Sequence, residues 1–257
     1  MRVTFLGTGT SQGVPPIGCT SPVCLSDDSK DKRLRASIWV EWKGLSIVVD
    51  AGPDFRYQLI RAGVKRLDAL LFTHEHRDHT AGLDDIRPFN YLQSGPVDVY
   101  CSNRVLSAFK SQYDYIFSEH PYPGIPLINF NIIENGQFLV GDCWITAVEV
   151  MHYKLPVHAF VFGDFAYVTD ANFISESQKD LLRNKKVLVL NALRRESHIS
   201  HFTLDEAVAM GKELSAEQVY FTHMSHQIGF HEEVNQALPP NMALAYDGQV
   251  VVIPSDF

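Results

Sequence analysis

The chain has 257 residues, 46% hydrophobic and 20% charged, a composition typical of a globular protein with a sizeable core, and we expect one domain over residues 1–257. Its formal net charge of −8 argues against a stable nucleic-acid complex, because proteins that form one normally carry a basic face. No apolar run reaches membrane-spanning length, which excludes a transmembrane helix.

The first apolar run, residues 2–6, predicts a strand, and the glycine after it makes the start of the chain unlike a secretory leader. Four cysteines in a protein that is not exported are expected to be reduced thiols or metal ligands. These features predict a cytoplasmic protein. The glycine-rich stretch 7–13 predicts a sharp turn, with a substrate-facing loop as the alternative. The basic segment 30–35 predicts a solvated turn, with arginines that fix acidic loops as the alternative.

Two apolar runs, 36–42 and 45–49, are separated by Lys43-Gly44, and this spacing predicts a β-hairpin. Asp50 directly follows the second run, where a carboxylate is suited to capping a turn. Helical spacing over residues 55–62, with a glycine directly after them, predicts a helix.

An apolar run over residues 67–72 leads into the most distinctive stretch of the chain, Thr-His-Glu-His-Arg-Asp-His at positions 73–79. Its first two histidines are two positions apart and would point to different sides of a helix, so a strand running into a tight loop is predicted. Imidazole and carboxylate groups suit Zn, Mn or Fe, and one ion rarely takes four such groups while keeping a position open for chemistry. The stretch therefore predicts two adjacent divalent ions and four ligands, namely His74, His76, Asp78 and His79.

After this motif, residues 82–87 predict the start of a helix, residues 97–100 a strand and residues 105–113 a second helix. The segment 113–130 is rich in Tyr, Phe and Pro and cannot be regular structure throughout. Its composition allows three interpretations: a lid over the site, a contact within a homodimer, or a packed irregular loop.

Three later apolar runs each end beside a further candidate ligand. These runs and ligands are 144–150 with His152, 165–168 with Asp170, and 219–221 with His223. Another run, 187–190, is followed by a polar segment that contains His198 and His201. An amphipathic helix is predicted over residues 204–214.

The pattern His-x-His-x-Asp-His after a hydrophobic strand resembles the signature of the metallo-β-lactamase superfamily. The resemblance covers nearly the whole chain and implies an α/β (α+β) fold, the four-layer αββα sandwich, in which two sheets lie face to face with helices outside. It also implies that Asp50 orients the ligands of the metal loop.

The same resemblance implies how the ligands are divided. One ion would be held by three histidines, namely His74, His76 and His152. The other would be held by an aspartate and two histidines, namely Asp78, His79 and His223. Asp170 would bridge the two ions together with a water-derived hydroxide. Two divalent ions, Zn or Mn with Fe as an alternative, set against two carboxylates and a hydroxide leave a formal charge of about +1, which attracts a phosphodiester anion.

Within the superfamily, the segment 18–24, a histidine before a helix and a closely spaced late histidine pair are most similar to the cyclic phosphodiesterases of the carbon–phosphorus lyase pathway. Those enzymes carry an additional zinc held by three cysteines and a histidine. Here Cys19, Cys24 and His226 match that set, but Ser21 stands in place of the middle cysteine. A hydroxyl is a poor zinc ligand, so we expect free thiols, with a structural zinc as the alternative.

The sequence therefore predicts hydrolysis of small anionic phosphodiesters, cyclic ones included, with no membrane or stable nucleic-acid partner. His201 is the predicted proton donor to the leaving oxygen, because imidazole titrates near working pH, and His198 is the alternative. Asp78 is predicted to be essential for turnover. The other functions considered are a transfer-RNA 3′-processing endonuclease, which would need a basic arm, a thioester, lactone or β-lactam hydrolase, a diiron oxidoreductase, and a silent cyclic-nucleotide sensor.

Overall fold

The computed structural model describes residues 1–119 and 123–254. Fourteen strands lie within these residues: β1 (Arg2–Gly7), β2 (Ser37–Trp42), β3 (Leu45–Val49), β4 (Ala69–Leu71), β5 (Val97–Cys101), β6 (Ile128–Ile132), β7 (Gly136–Val140), β8 (Cys143–His152), β9 (Leu155–Phe162), β10 (Phe165–Tyr167), β11 (Val187–Asn191), β12 (Gln218–Thr222), β13 (Met242–Leu244) and β14 (Val250–Val252). Eight α-helices accompany them in the same residues: α1 (Pro22–Leu25), α2 (Phe55–Ala62), α3 (Arg77–Thr80), α4 (Arg87–Gln93), α5 (Asn103–Gln112), α6 (Glu176–Leu182), α7 (Leu204–Glu213) and α8 (His231–Ala237). None of these helices has the length and apolar character that a membrane span requires.

The strands form two seven-stranded mixed sheets, one with the order β14-β1-β2-β3-β4-β5-β6 and the other with the order β13-β12-β11-β10-β9-β8-β7. In the first sheet β3, β4, β5 and β6 are parallel, and in the second sheet β10, β11, β12 and β13 are parallel. Parallel strands align their carboxyl ends at one edge of a sheet. The loops after β4, β10 and β12 therefore begin at such edges.

Three clusters of buried apolar side chains fill the spaces between the layers. The cluster between the sheets takes side chains from both of them, such as Phe5 and Ile47 from one sheet and Phe160 and Tyr167 from the other. A second cluster lies between the first sheet and α2, α4 and α5, and a third between the second sheet and α6, α7 and α8. This four-layer αββα arrangement confirms the predicted fold class.

The hairpin and the first long helix form as the sequence predicts. Strands β2 and β3 pair antiparallel, with Ile38 opposite Val49, and their turn residues Lys43 and Gly44 have φ of 49° and 79°. Both values lie in the left-handed region, which the common two-residue hairpin turn requires. Helix α2 ends at Gly63, whose φ of 70° is likewise left-handed.

Two glycines permit close backbone approaches beside the metal-binding motif. A Cβ at Gly52 would lie 2.0 Å from the carbonyl oxygen of Asp78, so only glycine lets the loop after β3 pack against the motif. A Cβ at Gly7 would lie 2.0 Å from the carbonyl oxygen of Arg35. The glycine-rich stretch 7–13 thus contains a tight structural turn, as predicted.

The basic segment 30–35 is not the solvated turn that the sequence predicts. Arg33 is only 4% exposed, and its guanidinium donates to Thr8 Oγ1 at 2.9 Å and to the carbonyl oxygen of Ala245 at 2.7 Å. The prediction is wrong for this residue. Arginine is rarely buried, but here three hydrogen-bonding neighbours offset the free-energy cost of removing its guanidinium from water. The third neighbour is Nδ1 of His231, at 3.2 Å.

Other elements differ from the prediction in extent. The strand before the motif is limited to β4, and the helix expected over residues 82–87 is a 3₁₀ turn, Leu83–Ile86, that continues into α4. The segment 113–130 contains a 3₁₀ turn, Asp114–Phe117, and the start of β6. Its residues 120–122 lie outside the described residues, and the interpretation of the segment as a lid or a dimer contact stays a prediction.

Candidate metal centre

The end of β8 and the loops after β4, β10 and β12 meet and bring all seven predicted ligands into two groups. The ligand atoms of the first group lie within 4.8 Å of one another and belong to His74, His76 and His152. The second group satisfies the same limit and consists of Asp78, His79, Asp170 and His223. Residues from β8 and from the loops after β4, β10 and β12 therefore converge, as expected from strands that end at the same edge.

Asp170 lies between the two groups. Its Oδ1 is 3.4 Å from Nε2 of His79 and 3.2 Å from Nε2 of His223, both in the second group. Its Oδ2 is 3.8 Å from Nε2 of His74, in the first group. One carboxylate thus faces both groups with different oxygens, which is the position of a bridging ligand.

Asp50 organises the motif through hydrogen bonds at the tip of β3. Its Oδ2 lies 2.7 Å from Nδ1 of His79, and its Oδ1 accepts the backbone N–H of Thr73 at 2.9 Å. The Thr73 hydroxyl donates to the same carboxylate, so its oxygen accepts from Nδ1 of His74 at 2.9 Å. Because both imidazoles use Nδ1 in these contacts, their Nε2 atoms are free to face the centre.

His152 is oriented in the same way by a backbone group. Its Nδ1 lies 2.9 Å from the carbonyl oxygen of Ser200, an acceptor, so Nδ1 carries the proton. The Nε2 lone pair of His152 therefore points away from that loop. Sequence reasoning could not identify Ser200, because it acts through its main chain, which is not encoded in the residue type.

The unpartnered nitrogens of the centre fit a divalent cation. Among the described residues, Nε2 of His74, Nε2 of His79 and both ring nitrogens of His223 are buried without a hydrogen-bond partner. Buried polar atoms in proteins are almost always paired, so several unpaired nitrogens beside carboxylates indicate that another group binds there. Imidazole and carboxylate ligands suit Zn, Mn or Fe.

The carboxylates of the centre favour positive charge on His79, whereas burial disfavours it on His74. Burial opposes a charged His79, but the carboxylates of Asp78, Asp170 and Asp50 outweigh burial and raise the pKa of His79 well above its usual value. Burial alone would raise the pKa of Asp170, but His223 and His79 outweigh it and hold that pKa well below its usual value. Burial and the charge of His79 lower the pKa of His74 well below its usual value. A cation among these groups would neutralise their carboxylates.

Strained backbone is concentrated at this end of the molecule. Eight non-glycine residues have positive φ among the described residues, and four of them border the centre. Those four are Asp50 at 65°, Tyr153 at 58°, Asp170 at 58° and His223 at 57°. Such conformations cost about 1–3 kcal/mol each and persist where the surrounding structure imposes them, which is typical of functional sites.

The two candidate proton donors lie at different distances from the ligands. The ring of His201 stacks on that of His223 with centroids 4.8 Å apart, and it lies 4.6 Å from the ring of His152. His201 also forms a close group with His152 and Asp170. His198 lies behind it, with ring centroids 5.2 Å apart, and its Nδ1 is engaged by Ser200. Burial and neighbouring His223 lower the pKa of His201 to about 3.

A cavity of about 390 Å³ opens beside the first ligand group. His76 and His152 form its inner wall, and Arg104 lies next to them. The turn between β8 and β9 and the loop before His201 form the remaining walls. A volume of this size is in the range of small-molecule sites.

The cysteine segment forms a separate group in which one expected ligand type is missing. The ligand atoms of Cys19, Cys24 and His226 lie within 4.8 Å of one another. Ser21 accepts hydrogen bonds from Cys19 Sγ at 3.3 Å and from the backbone N–H of Cys24 at 3.4 Å, and so caps α1. The structure thus brings three of the four expected zinc-binding positions together. At the fourth position, Ser21 caps α1.

A family model described as a beta-lactamase superfamily domain matches residues 46–224. Among curated proteins, an octanoyltransferase of Porphyromonas gingivalis is 36% identical over 256 residues, which are 98% of this chain and 52% of that protein. A ribonuclease Z of Bradyrhizobium diazoefficiens is 37% identical over 172 residues, which are 62% of this chain and 49% of that protein. The chain thus spans about half the length of these two relatives.

Two solved structures extend the comparison. A diphosphatase from the PhnP family superimposes with a TM-score of 0.92 at 36% identity, and the match covers 98% of both chains. The short form of human tRNase Z superimposes with a TM-score of 0.68 at 21% identity, covering 99% of this chain and all of that one. The second likeness concerns the fold alone.

Proposed function

Because the chain belongs to the metallo-β-lactamase superfamily, we propose that it is a metal-dependent hydrolase of small phosphodiesters, cyclic ones included. The observation that carries the proposal is the pair of ligand groups that face Asp170 from two sides, with buried nitrogens that lack partners. The match to the PhnP-family diphosphatase, at 36% identity over 98% of both chains, supports a phosphate-ester substrate.

We assign the ligands as the two groups suggest. One ion would be held by His74, His76 and His152, and the other by Asp78, His79 and His223, with Asp170 shared. When bound, divalent ions supply a nucleophile from water near neutral pH and stabilise the added charge of the transition state. The contribution of the chain itself is orientation, since Asp50 and the carbonyl of Ser200 fix which imidazole nitrogens face the centre.

His201 is the proposed proton donor to the leaving oxygen. Its ring lies against both His152 and His223, which are proposed ligands of different ions. A pKa of about 3 keeps His201 neutral before substrate binds. This pKa lies below the near-neutral value expected from the sequence, so the donor role requires the proton to bind together with the substrate, whose negative charge raises the pKa of an adjacent imidazole. His198 is the alternative donor.

The test compares two esters whose leaving groups differ in their need for a proton. In 2′,3′-cyclic AMP an alkoxide leaves, whereas bis(4-nitrophenyl) phosphate releases a stable phenolate. His201→Ala should lower kcat/KM for the cyclic nucleotide by about 10²–10⁴-fold and for the phenyl ester by less than about tenfold. His198→Ala is the matched variant and should lower both by a similar factor. Equal losses for both esters in His201→Ala would reject the donor role.

The same assay tests metal dependence and the function as a whole. Wild-type activity on either diester should disappear after treatment with a chelator and return with Zn or Mn. If neither diester is hydrolysed by protein with a full metal content, the phosphodiesterase proposal is wrong.

Acyl chemistry is a second candidate, favoured by the similarity over 98% of this chain to a protein named octanoyltransferase. Hydrolysis of a thioester uses the same metal chemistry but needs no protonated leaving group, because a thiolate leaves readily. An octanoyl thioester is therefore included beside the diesters, together with precursor transfer RNA because of the ribonuclease Z relatives. Turnover of the thioester alone, retained in His201→Ala, would replace the phosphodiesterase with an acyl hydrolase.

A further inference from the structure

We propose that the cavity beside the metal centre is a subsite for the distal half of a nucleoside diphosphate ester. In this assignment Arg104 and Lys154 bind the phosphate that does not react, and Tyr153 supports the nucleobase. The inference rests on the proposed phosphodiesterase function and narrows its substrate from diesters in general to diesters that carry a second phosphate and a base.

Two cations with spare hydrogen-bonding capacity line the cavity. Arg104 uses its Nε to pair with Glu75, its side chain is 61% exposed, and among the described residues its terminal nitrogens contact no acceptor. Lys154 has no carboxylate partner among the residues that the structure describes. Its Nζ lies 5.3 Å from the centre of the Tyr153 ring. In a chain with a net charge of −8, such a pair of cations beside the centre is suited to an anion.

The position of these cations indicates a second anionic group and not the reacting one. His76 and His152, ligands proposed for the first ion, line the same cavity as the two cations, so the cavity adjoins the metal centre. The reacting phosphate belongs at that centre, so it does not need Arg104 or Lys154. A second phosphate, joined to the reacting one through a single bridging oxygen, would lie in this cavity.

The backbone at Tyr153 indicates that its ring is held at the cavity against a conformational cost. Tyr153 is the first of two residues that join β8 to β9, and its φ of 58° is a conformation that glycine adopts freely and tyrosine rarely does. The residue is nevertheless 49% exposed, so burial does not explain the choice of tyrosine. Aromatic faces stack on bases without regard to sequence.

Asn172 connects the two walls between which the base would lie. Its Oδ1 accepts the backbone N–H of Tyr153 at 2.6 Å, and its Nδ2 donates to the carbonyl oxygen of Ile199 at 3.2 Å. Ile199 lines the cavity with a side chain that is 65% exposed. The side chains of Tyr153 and Ile199 therefore offer apolar surfaces on two walls whose spacing Asn172 fixes.

Hydrolysis of such a substrate consumes one water. A new oxygen–phosphorus bond forms at one phosphorus, the bridging P–O bond breaks, and the products are two phosphate monoesters with a proton released to solvent. The monoester that keeps the nucleoside would remain on Arg104, Lys154 and Tyr153 until it dissociates. Nucleoside monophosphates are then expected to inhibit as products.

The experiment gives the metal-loaded protein three substrates in turn. They differ in whether they carry a nucleobase and a second phosphate. Bis(4-nitrophenyl) phosphate has neither group, thymidine 5′-monophosphate 4-nitrophenyl ester has a base and one phosphate, and ADP-ribose has a base and two phosphates. Tyr153→Gly should raise KM about tenfold for ADP-ribose, whose base lies one phosphate beyond the reacting one, since base stacking supports binding by factors of this order. The glycine suits the φ of this turn, so the same variant should be at least as stable as the wild type.

The cations are tested by Lys154→Met. It should lower the ratio of kcat/KM for ADP-ribose to kcat/KM for the thymidine ester by about five- to tenfold, because only ADP-ribose presents the second phosphate. Lys110→Met, which removes a lysine from the exposed face of α5, is the matched control and should leave this ratio unchanged. An unchanged ratio in Lys154→Met, or an unchanged KM for ADP-ribose in Tyr153→Gly, would overturn the subsite.

A binding measurement separates the subsite from the proposed reaction. Titration calorimetry should show ADP binding about tenfold more tightly than AMP to wild-type protein, with most of that difference lost in Lys154→Met. If bis(4-nitrophenyl) phosphate is not hydrolysed, the reaction proposal fails while this titration still decides the subsite. Equal affinities of ADP and AMP would reject it.

Discussion

Oδ2 of Asp50 lies 2.7 Å from Nδ1 of His79, and both side chains are almost completely buried. This contact fixes the tautomer of His79 because a carboxylate accepts only, so Nδ1 carries the proton and Nε2 faces the centre. The same carboxylate also receives two hydrogen bonds from Thr73. Asp50, which is not a proposed ligand, therefore fixes the first residue of the motif, Thr73, relative to its last histidine, His79.

Asp50→Asn should weaken metal binding while preserving the fold. Asparagine tolerates the φ of 65° at this position, but its amide cannot stabilise the Nδ1–H of His79 as a carboxylate does. We expect the affinity for Zn to fall by about 10–100-fold, measured by competition with a chromogenic chelator. Asp98→Asn, on β5 where the side chain pairs with Asn129, is the control and should keep wild-type affinity. Equal Zn affinities for Asp50→Asn and wild type would contradict the orienting role.

Asp170→Asn should change the number of ions that the chain holds. Its two oxygens face both ligand groups, so loss of one negative charge weakens both sites at once. We expect metal analysis after dialysis to fall from two ions per chain to one or fewer, and phosphodiester turnover to fall by about a thousandfold. Asp142→Asn, in an exposed turn, should change neither quantity. Retention of two ions by Asp170→Asn would contradict the bridging position.

The convergence of the proposed ligands could be predicted from the sequence because their chemistry is unusual where they stand. An imidazole or carboxylate directly after an apolar strand can be recognised from both its residue type and its position. The structure brings His152, Asp170 and His223 together, as that pattern predicts. The hairpin turn at Lys43 and Gly44 was predictable for a similar reason, since lysine-glycine between two apolar runs leaves few other conformations.

The residues that could not be predicted act through geometry that residue type does not carry. Tyr153 is distinguished by its φ, Ser200 by a carbonyl oxygen, and Asn172 by the two loops that it joins. Arg33 lies in a basic segment that is typical of solvent-exposed turns, and only the fold supplies the acceptors that allow its burial. Strand β9 was not predicted, although seven of its eight residues are apolar or proline.

Ser21→Cys should complete a zinc site in the segment before α1. Cys19, Cys24 and His226 already converge, and Ser21 contributes a hydroxyl that binds zinc poorly. After dialysis against a chelator, the variant should retain one more zinc per chain than the wild type. Ser102→Cys removes the equivalent capping serine of α5 far from these thiols and should retain no additional zinc. Equal zinc contents of Ser21→Cys and wild type would show that the group does not bind the metal.

Stability should depend on pH through His231, which is buried beside a permanent cation. Nη2 of Arg33 lies 3.2 Å from its Nδ1, and a guanidinium cannot accept a hydrogen bond, so this nitrogen must stay unprotonated. A neutral imidazole whose Nδ1 is unprotonated carries its proton on Nε2, which lies 2.8 Å from the side-chain amide of Asn235. Burial and the charge of Arg33 together lower the pKa of His231 to about 4.

The sign of the effect follows from that lowered pKa. In the unfolded chain the histidine binds a proton near pH 6.5, whereas in the folded protein it does so only near pH 4, so its contribution is full above pH 6.5 and is lost as the pH falls towards 4. The free energy of unfolding of the wild type should therefore fall between pH 7 and pH 4.5 by roughly 2 kcal/mol more than that of His231→Gln, in urea titrations at equal metal content. The difference between the two proteins at each pH isolates His231 from the proposed metal ligands, which titrate in both. Parallel curves over this range would show that His231 is not held neutral by Arg33.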